Sequence, residues 1–198
     1  MMPCFNVFYG NPNSIHSFGR EAVGLVDRAR DRIAKAIGAR SNEIYFTSGG
    51  TEADNWAIKG LAHAYAYKGK HIITSKIEHP AVLGACKALE AEGFEVTYLP
   101  VDQNGLVSLA ELIHAIRKDT ILISIMAVNN EVGTIQNIKA IGKTAKENDI
   151  VFHTDAVQAF GALKLDVMDM EIDAMSLSSH KIYGPKGVGA LYVRNGIR

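Results

Sequence analysis

Short β-prone runs alternate with amphipathic helical stretches along nearly the whole chain, and several of the runs are apolar on both faces. Glu43–Ser48, His71–Ser75, Glu95–Pro100, Thr120–Met126, Ile150–Thr154 and Ile172–Ser178 read as strands. A strand turns successive side chains to opposite faces, so a run apolar in both registers must be covered on both sides. The intervening stretches can supply that cover. In Ser17–Ile37, Val23, Val26, Ile33 and Ile37 recur at helical spacing, and Thr51–Tyr67, Pro80–Glu92, Ser108–Lys118 and Ile138–Asn148 follow the same period. The alternation predicts an α/β domain of three layers: a mostly parallel sheet, right-handed crossovers, and helices on both faces. Val188–Val193 is a further strand directly after the turn Gly184-Pro185-Lys186-Gly187. No crossover helix fits between it and its predecessor, so it is expected to run antiparallel.

At 198 residues the chain suits one domain. Lysine plus arginine and aspartate plus glutamate both number 21, for zero formal net charge. There is no basic field to draw in nucleic acid or an acidic membrane surface. No apolar run reaches membrane-spanning length, and the amino terminus lacks a signal pattern. The 2 cysteines, Cys4 and Cys86, form no paired framework, which points to a reducing, cytoplasmic setting.

In open α/β sheets the ligand crevice lies beyond the carboxyl ends of the strands, and five polar clusters fall there. Thr47-Ser48-Gly49-Gly50-Thr51 joins a strand to a helix. Free amides at Gly50 and Thr51 make an anion site, or else an ordinary cap. His79, in Glu78-His79-Pro80, can stack on a flat ring or shuttle a proton, or be a polar loop residue. Asn129-Asn130 offers uncharged donors to a carboxylate or phenolate, or forms a plain turn. Asp155 ends a nearly all-apolar strand, and a buried carboxylate needs a partner such as a protonated pyridine nitrogen. Gln158 could donate to a phenolic oxygen on the same ring. His153-x-Asp155 also admits a metal, but no further ligands stand at recognisable spacing. Lys181 follows a strand-like run and precedes a Gly/Pro turn. A lysine held there acts as a nucleophile once it loses its proton, most often as a Schiff base with pyridoxal phosphate. Ser178 and His180 can donate to that ligand's phosphate. Singly, each cluster has a bland alternative; jointly they match the parts of one ligand.

Five stretches carry a resemblance: Gly10–His16, Phe46–Glu52, Asn129–Gly133, His153–Gln158 and Ser178–Gly187. Together they closely resemble the NifS/IscS-type cysteine desulfurases, class V members of the fold-type I pyridoxal-phosphate enzymes. The resemblance implies Lys181 as the Schiff-base lysine and His79 as the stacking and acid–base histidine. It implies Asp155 on the pyridine nitrogen and Gln158 on the phenolic oxygen. Gly50, Thr51, Ser178 and His180 would hold the phosphate, and Asn130 the substrate carboxylate. It further implies L-cysteine as substrate, L-alanine and a persulfide as products, and a sulfur-acceptor or scaffold protein serving iron–sulfur cluster or thiolated-nucleotide synthesis. Such enzymes are homodimers.

Members of that family are nearly twice as long. Residues 1–198 are therefore expected to be an incomplete pyridoxal-phosphate-binding large domain, without the small carboxyl-terminal domain. The persulfide-bearing cysteine and the arginine that clamps the substrate carboxylate would lie in the missing half. Cys4 and Cys86 match neither the position nor the context of that nucleophile. The chain is expected to bind the cofactor with weak or no turnover of its own. The alternatives are a selenocysteine lyase or other class V aminotransferase, and a non-catalytic cofactor-binding or interaction fragment.

Overall fold

The expected two-sided burial of the strands is what organises the molecule. In the computed structural model, which describes residues 1–197, seven strands form one sheet in the order β1-β7-β6-β5-β4-β2-β3. They are β1 (Ile44–Thr47), β2 (His71–Ser75), β3 (Glu95–Leu99), β4 (Thr120–Ser124), β5 (Val151–Asp155), β6 (Ala174–Ser178) and β7 (Gly189–Val193). Neighbours in β2 to β6 pair in parallel, while β7 pairs antiparallel with both β6 and β1. Only β7 runs backwards, as the absence of room for a crossover requires.

The helices are α1 (Met2–Asn6), α2 (Ser17–Ile37), α3 (Gly50–Tyr65), α4 (Pro80–Ala91), α5 (Leu109–Ala115) and α6 (Ile138–Glu147). Adjacent strand residues feed two separate cores. Ile72, Leu122, Val151, Ala174 and Leu191 pack under α3 and α4, against Ala57, Ile58, Leu61, Val82 and Leu89. Their neighbours Ile73, Ile123, Phe152, Met175 and Tyr192 pack on the other face against Ile37, Leu112, Ile138 and Ile141 of α2, α5 and α6. Each such buried side chain contributes roughly 1.5–3 kcal/mol of apolar burial. Cys86 belongs to the first core and is fully buried, a packing residue as expected.

Boundaries shift slightly from the expected ones. Helix α3 begins at Gly50 rather than Thr51, and α5 ends at Ala115. Residues 41–43 form a short 3-10 turn, with Glu43 buried and accepting from the amides of Arg40 and Asn195. No helix among the described residues is long and apolar enough to cross a membrane.

Candidate active site

The carboxyl ends of β1, β2, β4, β5 and β6 open on a single cavity of about 210 Å³. It is lined by Gly50, Thr51, Asp54, His79, Met126, Asn130, Asp155, Val157, Gln158, His180 and Lys181. The five clusters read from the sequence thus meet in one place, and each arrives by a simple local route.

The sixteen residues of α3 point their amino terminus at this cavity through Gly50 and Thr51. Unpaired amides and the helix dipole there favour an anion. The approach is close: a Cβ on Gly50 would stand 2.7 Å from Val157 Cγ2. Across from it, Ser178 ends β6 and its hydroxyl lies 2.7 Å from His180 Nδ1. Ser178 is buried and does not line the cavity, so its visible role is to hold the His180 ring. Lys181 stands one turn past the strand end, in a 3-10 turn of Ser179–Ile182, where it lines the cavity and remains exposed.

His79 caps α4: its Nδ1 accepts from the Ala81 amide at 3.1 Å. In the neutral ring that bond leaves the proton on Nε2, so the residue presents a donor. Asn130 lines the cavity, whereas its neighbour Asn129 serves the turn, donating to the Ile77 carbonyl and accepting from the amides of Glu131 and Val132.

Asp155 is buried, and among the described residues its carboxyl has one hydrogen bond, from the Val157 amide at 2.9 Å. No lysine or arginine pairs with it among the described residues. Burial raises its pKa above the usual carboxylate range, against the opposing effects of the Val157 amide and the His79 imidazole. A buried carboxylate without a counter-ion favours a cation at that point of the cavity. His153, two residues earlier, is taken up inside the sheet. Its Nδ1 lies 2.8 Å from Ser124 Oγ and its Nε2 3.0 Å from Ser176 Oγ. Burial lowers its pKa to about 3, which keeps the ring neutral.

The sequence reading did not single out two buried carboxyls beside these residues. Asp54, on α3, lines the cavity; Glu78 lies under it and accepts from Ser75 Oγ and the Met126 amide. Both are pushed up to about 8, chiefly by burial. Asp54 had a legible signal, because it shares the buried stripe of α3 with Ile58 and Leu61 at helical spacing.

A helix amino terminus, an imidazole, a buried carboxyl without a counter-ion and a primary amine line one cavity, donors suited to a flat, phosphorylated, basic heterocycle with a carbonyl. The domain class that fold and site define is confirmed by comparison: the class-V aminotransferase profile matches residues 1–198, and the chain belongs to that family. Within it, the chain is similar to cysteine desulfurases. It is 61% identical over 198 residues to cysteine desulfurase IscS of Methanosarcina thermophila, covering 100% of this chain and 49% of that protein. To cysteine desulfurase IscS of Clostridium botulinum it is 57% identical over 198 residues, 100% of this chain and 50% of that one. A solved structure of SspA in complex with cysteine matches with a TM-score of 0.94 at 50% identity, over 98% of this chain and 56% of that chain. The chain thus spans about half the length of the curated relatives it matches.

Proposed function

We propose that residues 1–198 are the pyridoxal-phosphate-binding large domain of a cysteine desulfurase. The whole enzyme would take sulfur from L-cysteine, release L-alanine and pass the sulfur to an acceptor protein. The supporting observation is the convergence, in one cavity, of a buried carboxylate lacking a cation and an exposed lysine amine, with a helix amino terminus at the wall.

Pyridoxal phosphate, when bound, supplies an aldehyde to be captured by an amine and a ring that accepts an electron pair. The chain's own residues would do the rest. Gly50, Thr51 and His180 would hold the phosphate, with Ser178 fixing the His180 ring. Asp155 would hold the ring nitrogen in its charged form, and Gln158 would donate to the phenolic oxygen. Lys181 would carry the aldehyde carbon and, once freed by the substrate's amine, move the proton at the substrate α-carbon. His79, proton on Nε2, would stack on the ring and serve as acid. Asn130 would meet the substrate carboxylate.

In the overall reaction the substrate's carbon–sulfur bond breaks, its β-carbon takes a proton, and the sulfur joins a thiolate. Cys86 cannot supply that thiolate, because burial pushes its pKa up to about 12. Cys4 lies on the exposed α1 and is not among the residues lining the cavity. The half-length chain would therefore bind cofactor and turn over slowly unless thiol is added. The full enzyme would work as a homodimer with a protein sulfur acceptor.

The test is borohydride reduction of the chain after incubation with pyridoxal phosphate, followed by peptide mass analysis. The reading expects a reduced adduct on the Lys181 peptide and none in Lys181→Ala. Labelling of another lysine, or of none, overturns it.

A further inference from the structure

Asp54 is the titratable member of the cavity wall that the proposed chemistry does not use. It is 1% exposed, and its Oδ1 has no hydrogen-bond partner. The nearest cation-capable group is His153, whose Nε2 lies 3.8 Å from that oxygen, too far for a hydrogen bond. Both nitrogens of His153 already have hydroxyl partners in Ser124 and Ser176. A buried carboxyl in such a place holds a charge only at high cost.

The elements packed against Asp54 bring it no charged partner. Strand β5 presents neutral His153 and the carboxyl of Asp155, and β6 presents Ser176. The turn before α4 brings Glu78, another buried carboxyl, and His79; the turn after β6 brings His180 and Lys181 to the far side of the same cavity. The near neighbours are neutral or acidic. Two carboxyls facing one buried space cannot both ionise cheaply, so a proton stays with one of them. Asp155 receives an amide donor from Val157, which stabilises its anion; Asp54 Oδ1 has no partner, and the Ser176 hydroxyl, which favours the Asp54 anion, is outweighed by burial and by the neighbouring Asp155. The proton therefore resides on Asp54.

We propose that Asp54 is a positioning residue for Asp155: as the neutral acid it leaves Asp155 the single negative charge on that wall, so that a ring cation is drawn to one defined oxygen pair. The inference rests on the pyridoxal-phosphate reading of the cavity. Its chemistry is a proton equilibrium alone, in which the pair gains one negative charge when Asp54 ionises.

Two measurements test it. In the first, carboxyl carbon resonances of the 198-residue chain are titrated without added cofactor. Asp54 should titrate near 8, and in Asp155→Asn its midpoint should fall by roughly a unit as the like charge is removed. Titration of Asp54 in the ordinary carboxylate range, or a midpoint indifferent to Asp155→Asn, overturns the inference. In the second, pyridoxal phosphate affinity is measured against pH by fluorescence. Wild type and Asp54→Asn should agree within about twofold near pH 6.5 and diverge by roughly threefold or more above pH 8, where only wild type gains a second anion. Superposed profiles overturn it, since a purely structural Asp54 would shift affinity equally at every pH. Failure of both chains to bind pyridoxal phosphate while Asp54 titrates as expected counts against the proposed function and leaves the proton assignment standing. Should Asp54→Asn not fold, the carbon titration of wild type and Asp155→Asn decides alone.

Discussion

Glu78 shows most directly what burial does to a single side chain here. Enclosed beneath the cavity and held by Ser75 and the Met126 amide, it is raised by burial to about 8. A carboxyl raised in the folded state binds its proton more tightly than the unfolded chain does. Its contribution is fully present below the unfolded value and is lost as pH rises toward the folded one. Urea denaturation should therefore show stability falling between about pH 4.5 and 8, by up to about 1.4 kcal/mol per pH unit for this group. Glu78→Gln should remove that share of the slope; an unchanged slope would contradict the assignment. Asp155 makes a second prediction at the same scale. On the proposed reading, Asp155→Asn would exchange an ionic hydrogen bond to the ring nitrogen for a neutral one, so pyridoxal phosphate affinity should fall by about 2 kcal/mol, roughly 30-fold, in a fluorescence titration. Equal affinity would show that the carboxylate does not meet the ring.

Among the elements, β7 decides how the anion cradle is built. Its first residue, Gly189, stands opposite Thr47 of β1 and Ser178 of β6. A Cβ there would lie 2.6 Å from the Gly49 carbonyl carbon and 2.7 Å from the Leu177 oxygen, backbone that cannot step aside. This close approach lets the Gly49–Gly50 turn sit beside the Ser178–Lys181 turn. Gly189→Ala should destabilise the chain by roughly 1–3 kcal/mol in thermal denaturation and weaken cofactor binding with it. Gly50→Ala, which meets a side chain at Val157, should chiefly weaken binding. The strands themselves were legible from sequence because two-sided apolar runs admit few alternatives. The residues at their ends were legible because imidazole, amide, carboxylate and amine are conspicuous at the close of apolar runs. Asp54 escaped notice because an acidic residue early in an amphipathic helix reads as part of its solvated face. The burial of Ser178 and its contact with His180 were not legible, because a strand's end in the sequence does not say which way its last side chain is screened.

For the whole molecule, the uneven surface is the feature with a measurable consequence. The first eighteen residues expose Met2, Phe5, Tyr9, Ile15 and Phe18 at 68%, 71%, 72%, 92% and 61%. Formal net charge is zero, so little repulsion opposes contact between molecules. An apolar surface of this kind promotes association. Light scattering should rise with concentration near neutral pH, and replacing Tyr9 and Ile15 by serine should lower it without changing the melting temperature, because neither side chain packs in the core. A melting temperature that drops would show that the segment is part of the folded core. The sheet order carries a last consequence. Strand β1 emerges from the ribosome early, yet its sole sheet neighbour among the described residues is β7, nearly 150 residues later. During synthesis, the first strand must wait, unzipped, until that late partner slides in beside it, so the cavity wall it supports is complete only after Gly189–Val193 has cleared the exit tunnel.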